Sequence, residues 1–198
     1  DFSAVSNVFT FQSIVPIVFE IQGSLSGNIS GVNFAGVWGE INMNALLAGE
    51  TIASQGTVWV QDVRISGEQI ALVDDFTNGM NSFFVDLGGI DFAGFSFTSF
   101  DFHSNVTTLR SINIANSTLN LLGGFWEVDS VNLTWNSGAS ELLLGDNATV
   151  AEFHGGGLPY DTLRSQSTLN FSYFEHNQFS LFEIFPSSEL IIASGDSL

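Results

Sequence analysis

Residues 1–25 read DFSAVSNVFTFQSIVPIVFEIQGSL. Every second residue from Val5 gives Val5, Asn7, Phe9, Phe11, Ser13, Val15, Ile17, Phe19, Ile21, Gly23 and Leu25, so the large apolar side chains fall mainly at odd positions. Even positions are mostly small or polar, with Val8, Ile14 and Val18 as exceptions. Period two marks β-strand with one face buried. A single strand over these positions would reach roughly 70 Å at about 3.4 Å per residue. A domain of this length has a radius of gyration of only ~16–17 Å. Pro16 cannot donate to a central ladder, so the stretch divides into two strands, roughly residues 4–12 and 17–23.

The pattern recurs along the chain. Strands are expected at 57–65, 69–73, 82–87, 108–114, 118–122, 125–135, 141–144, 149–154, 167–174, 179–185 and 189–193, mostly separated by Gly, Asn, Asp and Ser. Residues 32–47 begin like a strand, and MNALLAGE suggests one helical turn. Residues 92–102 (FAGFSFTSFDF) change phase: Phe95 and Phe97 are odd, Phe100 and Phe102 even. A one-residue slip flips the buried face, which places a β-bulge or a break near Thr98–Ser99. Short strands without long helical periodicity indicate one all-β domain, a sandwich or a barrel. NFAG at 33–36 and DFAG at 91–94 are too short to mark a tandem repeat.

The 198 residues include 21 Asp and Glu, three Arg (Arg64, Arg110, Arg164) and no Lys, for a formal charge of −18. No basic surface is available for nucleic acid or anionic membranes. Charged residues make up 12%, so the bases are missing rather than the acids being numerous. Most of that charge would disappear at low pH, since carboxylates titrate near 4, which points to acidic surroundings. The absence of Cys excludes a disulfide framework and a thiol nucleophile, and favours a prokaryotic surface protein. No run is long and apolar enough to span a membrane as a helix. A chain that begins at Asp1 reads as a mature product with its signal peptide removed.

N-x-S/T acceptors lie at Asn28, Asn105, Asn116, Asn132, Asn147 and Asn170; 16 Asn and 37 Ser plus Thr among 198 residues give about three by chance. Such acceptors require exposed sites in a secreted protein. HGGG at 154–157 matches part of a lipase oxyanion hole, but no G-x-S-x-G elbow accompanies it, so it reads as a turn. His103, His154 and His176 lack metal spacing and read as solvated loop residues. Asp74 and Asp75 with Asp86 and Asp91 offer oxygen ligands to calcium without an EF-hand pattern, and no cofactor is expected. Trp38, Trp59, Trp126 and Trp135 could form a sugar platform, but core packing suits them better. No carboxylate pair is singled out for glycoside hydrolysis.

Together the N-terminal apolar strand, all-β body, absence of Cys and Lys, and many sequons resemble the Sulfolobus-type thread filament subunits of thermoacidophilic archaea, which are similar to bacterial type 1 pilins. The resemblance implies an immunoglobulin-like or pilin-like β-sandwich at 15–198, preceded by a donor strand at 1–14. It implies a non-enzymatic, extracellular, N-glycosylated filament of identical subunits, serving adhesion or biofilm. Val5, Val8, Phe9 and Phe11 would fill the groove of a neighbouring copy by β-augmentation. Competing expectations are a secreted carbohydrate-binding or glycoside-active sandwich and a viral jelly-roll coat protein.

Overall fold

In a computed structural model, which describes residues 9–12, 17–26, 32–35, 39–56, 58–171 and 176–192, one line of inward side chains runs through the molecule. Phe19 lies on Ile41, then follow Val63, Phe83, Phe102, Trp126, Phe153, Phe171 and Ile192, each paired in register with the next. Their backbone neighbours are therefore 18 to 27 residues apart in the chain. Every strand pairing among the described residues is parallel. The chain is a parallel β-solenoid of stacked coils.

In chain order the strands begin β1 (Phe9–Gln12), β2 (Ile17–Ile21), β3 (Leu25–Ser26), β4 (Val32–Ala35), β5 (Gly39–Met43), β6 (Glu50–Ala53) and β7 (Asp62–Ile65). They continue as β8 (Gln69–Leu72), β9 (Phe76–Thr77), β10 (Phe83–Val85), β11 (Gly88–Asp91), β12 (Ser96–Ser104), β13 (Arg110–Asn113) and β14 (Thr118–Val128). The remainder are β15 (Leu133–Asn136), β16 (Glu141–Leu144), β17 (Val150–His154), β18 (Pro159–Ser165), β19 (Thr168–Phe171), β20 (Gln178–Ile184) and β21 (Leu190–Ile192). No helix occurs among the described residues.

Three ladders form the walls. The first joins β2, β5, β7, β10, the later halves of β12 and β14, and then β17, β19 and β21. The second is β3-β6-β8-β11-β13-β15, and the third joins β9, the early halves of β12 and β14, then β16, β18 and β20. β1 pairs with β4 of the same chain, Phe11 opposite Phe34.

The expected immunoglobulin-like sandwich is overturned by this topology. Alternation specifies a strand and its buried face, but it is silent on which strand lies alongside. A sandwich pairs mostly antiparallel neighbours; here each strand meets its counterpart one coil later. The groove of an open sandwich, into which a donor strand would fit, is no part of this architecture. The missed repeat has a physical cause as well, since corner loops of different length shift each coil against the last.

The phase change at the Phe-rich stretch coincides with a register shift between Ser99 and Asp101. Phe97 and Ser99 point inward from the third wall, Phe102 and Ser104 from the first. Two inward phases thus meet at a corner within one strand. The span 125–135 also divides, into the end of β14 and β15.

Close stacking fixes the corners. Gly88 has φ +71°, and a Cβ there would lie 1.7 Å from the carbonyl oxygen of Gly67 in the preceding coil. Only glycine fits both constraints. Within the coils, aromatic rings fill the inner column: Phe102 stacks on Trp126 at 4.5 Å between centroids, and Trp126 Nε1–H donates to the Tyr160 hydroxyl at 3.0 Å.

Arg110 is the largest charged group inside. Its Nε donates to Ser104 Oγ at 2.6 Å and Nη2 to Ser104 O at 2.8 Å and to Asp129 O. Nη1 donates to Thr108 O at 3.1 Å and Val131 O at 2.9 Å. Five donors therefore meet five acceptors on two successive coils. Burial lowers its pKa below the usual arginine value, opposed by Asp129 and Asp86. Replacing it by Met leaves those acceptors without a donor, so Arg110→Met is expected to cost about 3–5 kcal/mol in urea unfolding. Arg64→Met, on the partly exposed outer wall, is expected to cost about 1 kcal/mol or less.

Candidate functional site

The outer surface of the first wall carries the densest set of ionisable and aromatic groups. In register along it stand Glu20, Asn42, Arg64, Phe84, His103, Glu127 and His154. Parallel rungs are about 4.8 Å apart, so each side chain rests on the next. The Arg64 guanidinium lies 4.4 Å from the Phe84 ring centre, and Phe84 stacks on His103 at 5.0 Å. His103 Nδ1 is 3.2 Å from Glu127, and Phe125 lies between His103 and His154 at 5.1 and 5.2 Å. His154 Nε2 is 3.6 Å from Glu152.

Two of the histidines expected in loops therefore belong to strands of one wall, brought together by stacking across 51 residues of chain between His103 and His154. Among the described residues no group of three His, Cys, Asp or Glu is arranged to hold a metal ion.

The arginines are consumed by neighbouring coils. Arg64 Nε binds Glu40 at 3.1 Å and its Nη1 binds Asp86. Arg164 Nε binds Glu183 at 2.8 Å and its Nη1 binds Glu141. With Arg110 buried, all three cationic side chains of this Lys-free chain are engaged internally.

The aspartates considered for calcium are also used separately. Asp74 accepts the backbone N–H of Ser54 and Gln55 at 2.8 and 2.6 Å, and Asp75 that of Ser96 at 2.8 Å. Asp86 pairs with Arg64, and Asp91 accepts Ala93 N–H and the Asn113 amide. Glycines 156 and 157 of HGGG have φ +65° and +70° in a turn that follows β17. Trp59 and Trp126 are buried and Trp135 half-buried, with Nε1–H on Pro159 O at 2.7 Å; Trp38 lies outside the described residues. None of the three described indoles forms an open sugar platform.

Of the sequons, Asn105, Asn116, Asn132 and Asn147 are exposed between strands, Asn170 is half-buried within β19, and Asn28 lies outside the described residues. Phe9 and Phe11 belong to β1, while Val5 and Val8 lie outside the described residues.

The feature missed from sequence is the pair of solenoid ends. Among the described residues, β2 and β3 end their ladders on one side and β20 and β21 end theirs on the other. Apolar residues packed on the core are only partly covered here, Ile21 and Leu25 at one end and Phe179, Phe182, Ile184 and Leu190 at the other, as are Leu133 and Trp135 where the second ladder stops at β15. β21 has no charged residue and no proline, the usual devices that blunt an edge. A corner groove of about 560 Å³ is lined by Leu46, Leu87 and Leu109 together with Asn44, Glu68 and Gln69.

No family model matches the chain, and comparisons with curated proteins and with solved structures find no match.

Burial raises the Asp101 pKa above the ordinary carboxylate value of 3.8, opposed by the Phe125 N–H and His103. The folded state then holds this proton more tightly than the unfolded chain. Its contribution to stability is present below pH 3.8 and lost as pH rises through the raised folded value. Asp101→Asn retains an acceptor for Phe125 N–H. It is expected to raise the Tm near pH 7 and to leave it unchanged near pH 3, as read by thermal melts.

Proposed function

We propose that this chain is a structural subunit of an extracellular filament, lengthened along the solenoid axis by copies of itself. The observation that carries this reading is the state of the ends: parallel strand edges beside apolar residues that are half-covered. A copy set on an end continues the ladder of the first wall and its inner column. Because one end meets the opposite end, the contact is heterologous and does not close, which yields a fibre. This is β-augmentation by a whole coil rather than by a single donor strand.

Seven partly covered residues, Phe19, Ile21, Leu25, Phe179, Phe182, Ile184 and Leu190, border the two ends. Completing their burial contributes about 1 kcal/mol each, roughly half the value for a full side chain. The sum, about 7 kcal/mol, is comparable to the ~4–15 kcal/mol cost of association. Ladder hydrogen bonds must therefore supply the remainder, and repulsion matters. Each subunit carries −18, with Glu20 at one end and Glu183 and Glu189 at the other. Polymerisation is favoured by acid or salt.

Electron microscopy and light scattering of the full chain test this. Filaments are expected, longer near pH 3 than at pH 7 in low salt. Ile192→Asp, which places a charge at the end of the inner column, is expected to give monomers at pH 7 with an unchanged strand spectrum. Monomers of the wild-type chain at high concentration under both conditions would sink the proposal.

The sequons, with the missing Cys, support an extracellular setting. Mass spectrometry of the protein from its native source is expected to find glycan on Asn105, Asn116 and Asn147 and none on Asn170, which is packed between Glu152 and Ile191.

A further inference from the structure

We propose that successive copies join in one register, β21 of one copy parallel to β2 of the next, with Ile191 on Val18 and Ile192 on Phe19. This rests on the filament reading and names the contact that such a filament uses.

Two columns of the first wall point to it. The inner column begins at Phe19 and ends at Ile192, so the next inward position beyond Ile192 is occupied by Phe19 of another copy. The junction then reads Phe171, Ile192, Phe19, Ile41, apolar throughout. The outer column beside it runs Val18, Glu40, Asp62, and later Asp101, Phe125, Glu152, Asn170 and Ile191. Its exposed aliphatic members are the two at the ends, Val18 at 54% and Ile191 at 47% exposure. Between them the column carries carboxylates, an amide and one ring. An outward Val at one end and an outward Ile at the other cover each other when the ends meet, as a cross-strand β-branched pair.

Other registers fail on named residues. A one-residue slip turns Ile192 outward and Ile191 into the core column, against the pleat of both strands. A two-residue slip in one direction sets Ile191 on Glu20. In the other it carries Ile191 past Ile17, the first residue of β2. The occupant is a second copy because β2 and β21 end one and the same ladder, that of the first wall, and the outward residue at one end matches that at the other.

The chain has no cysteine, so disulfide mapping is clean. Rungs about 4.8 Å apart fall within the ~4.4–6.8 Å Cα range for a disulfide. Val18→Cys with Ile191→Cys, in the full chain oxidised under conditions where the wild type forms filaments, is expected to give a ladder of covalent multimers on a non-reducing gel. Glu20→Cys with Ile191→Cys is expected to give none. Independently, Val18→Glu and Ile191→Glu leave the core column intact. Each is expected to raise the critical concentration at pH 7 at least tenfold without changing the melting of the monomer. Covalent multimers from the Glu20→Cys, Ile191→Cys variant instead, or filaments at an unchanged critical concentration in both Glu variants, overturn the register while the filament reading survives. A ladder lost together with wild-type filaments overturns both. Unchanged polymer with a cross-link confined to single chains shows that the chain covers its own end, and also overturns the proposal.

Discussion

Every feature of this molecule depends on parallel rungs stacked in register at about 4.8 Å. That spacing places each inward side chain on its counterpart one coil away, so the inner columns are mostly apolar, and the inward Ser99, Ser104 and Ser165 donate their hydroxyls to backbone carbonyls. Phe83, Phe102, Trp126, Phe153 and Phe171 satisfy it with rings on the first wall, and Phe76, Phe97, Leu119, Leu142 and Leu163 on the third. The same closeness leaves no room at corners, where Gly88 presses on Gly67 and Arg110 binds the carbonyls of two coils.

Stacking also explains what the charges do. Like charges on successive rungs repel; one outer column interleaves Arg64, Phe84, His103 and Glu127, whereas Glu40 and Asp62 adjoin on the column beside it, with Arg64 binding Glu40. Carboxylates sit where a corner exposes backbone N–H groups: Asp62 accepts Ser82 N–H at 2.9 Å, and Asp101 accepts Phe125 N–H at 3.1 Å, each one coil on. Acidic side chains thus supply acceptors between coils, and the arginines cross-brace them. What remains is a surface with strong net negative charge and its cations already occupied.

A stack of identical rungs has no intrinsic stop. A closed barrel has no free edges, whereas the first ladder of this solenoid ends in β2 on one side and β21 on the other. Val18 and Ile191 are exposed aliphatic residues on a wall that is otherwise mostly polar. In the proposed filament, self-assembly would continue folding, opposed mainly by charge.

Local features were legible from residues alone. Alternation located most strands, the odd-to-even switch between Phe97 and Phe100 marked a corner within β12, and Gly156–Gly157 marked a turn. The burial of Trp59 and Trp126 followed from an apolar, Phe-rich chain. These depend on neighbours a few residues apart, which the sequence displays directly. Which strand lies beside which was decided only in three dimensions. Phe102 meets Trp126 and Trp126 meets Phe153 at unequal separations, because corner loops vary in length while the rung spacing does not. For the same reason the His103–Glu127–His154 line, the five hydrogen bonds of Arg110 and the matched ends at Val18 and Ile191 have no local signature. Residue order alone established an all-β chain with its apolar faces turned inward. That those strands stack in parallel emerged only on folding, since hydrogen bonding between coils depends on spacing in space and not along the chain.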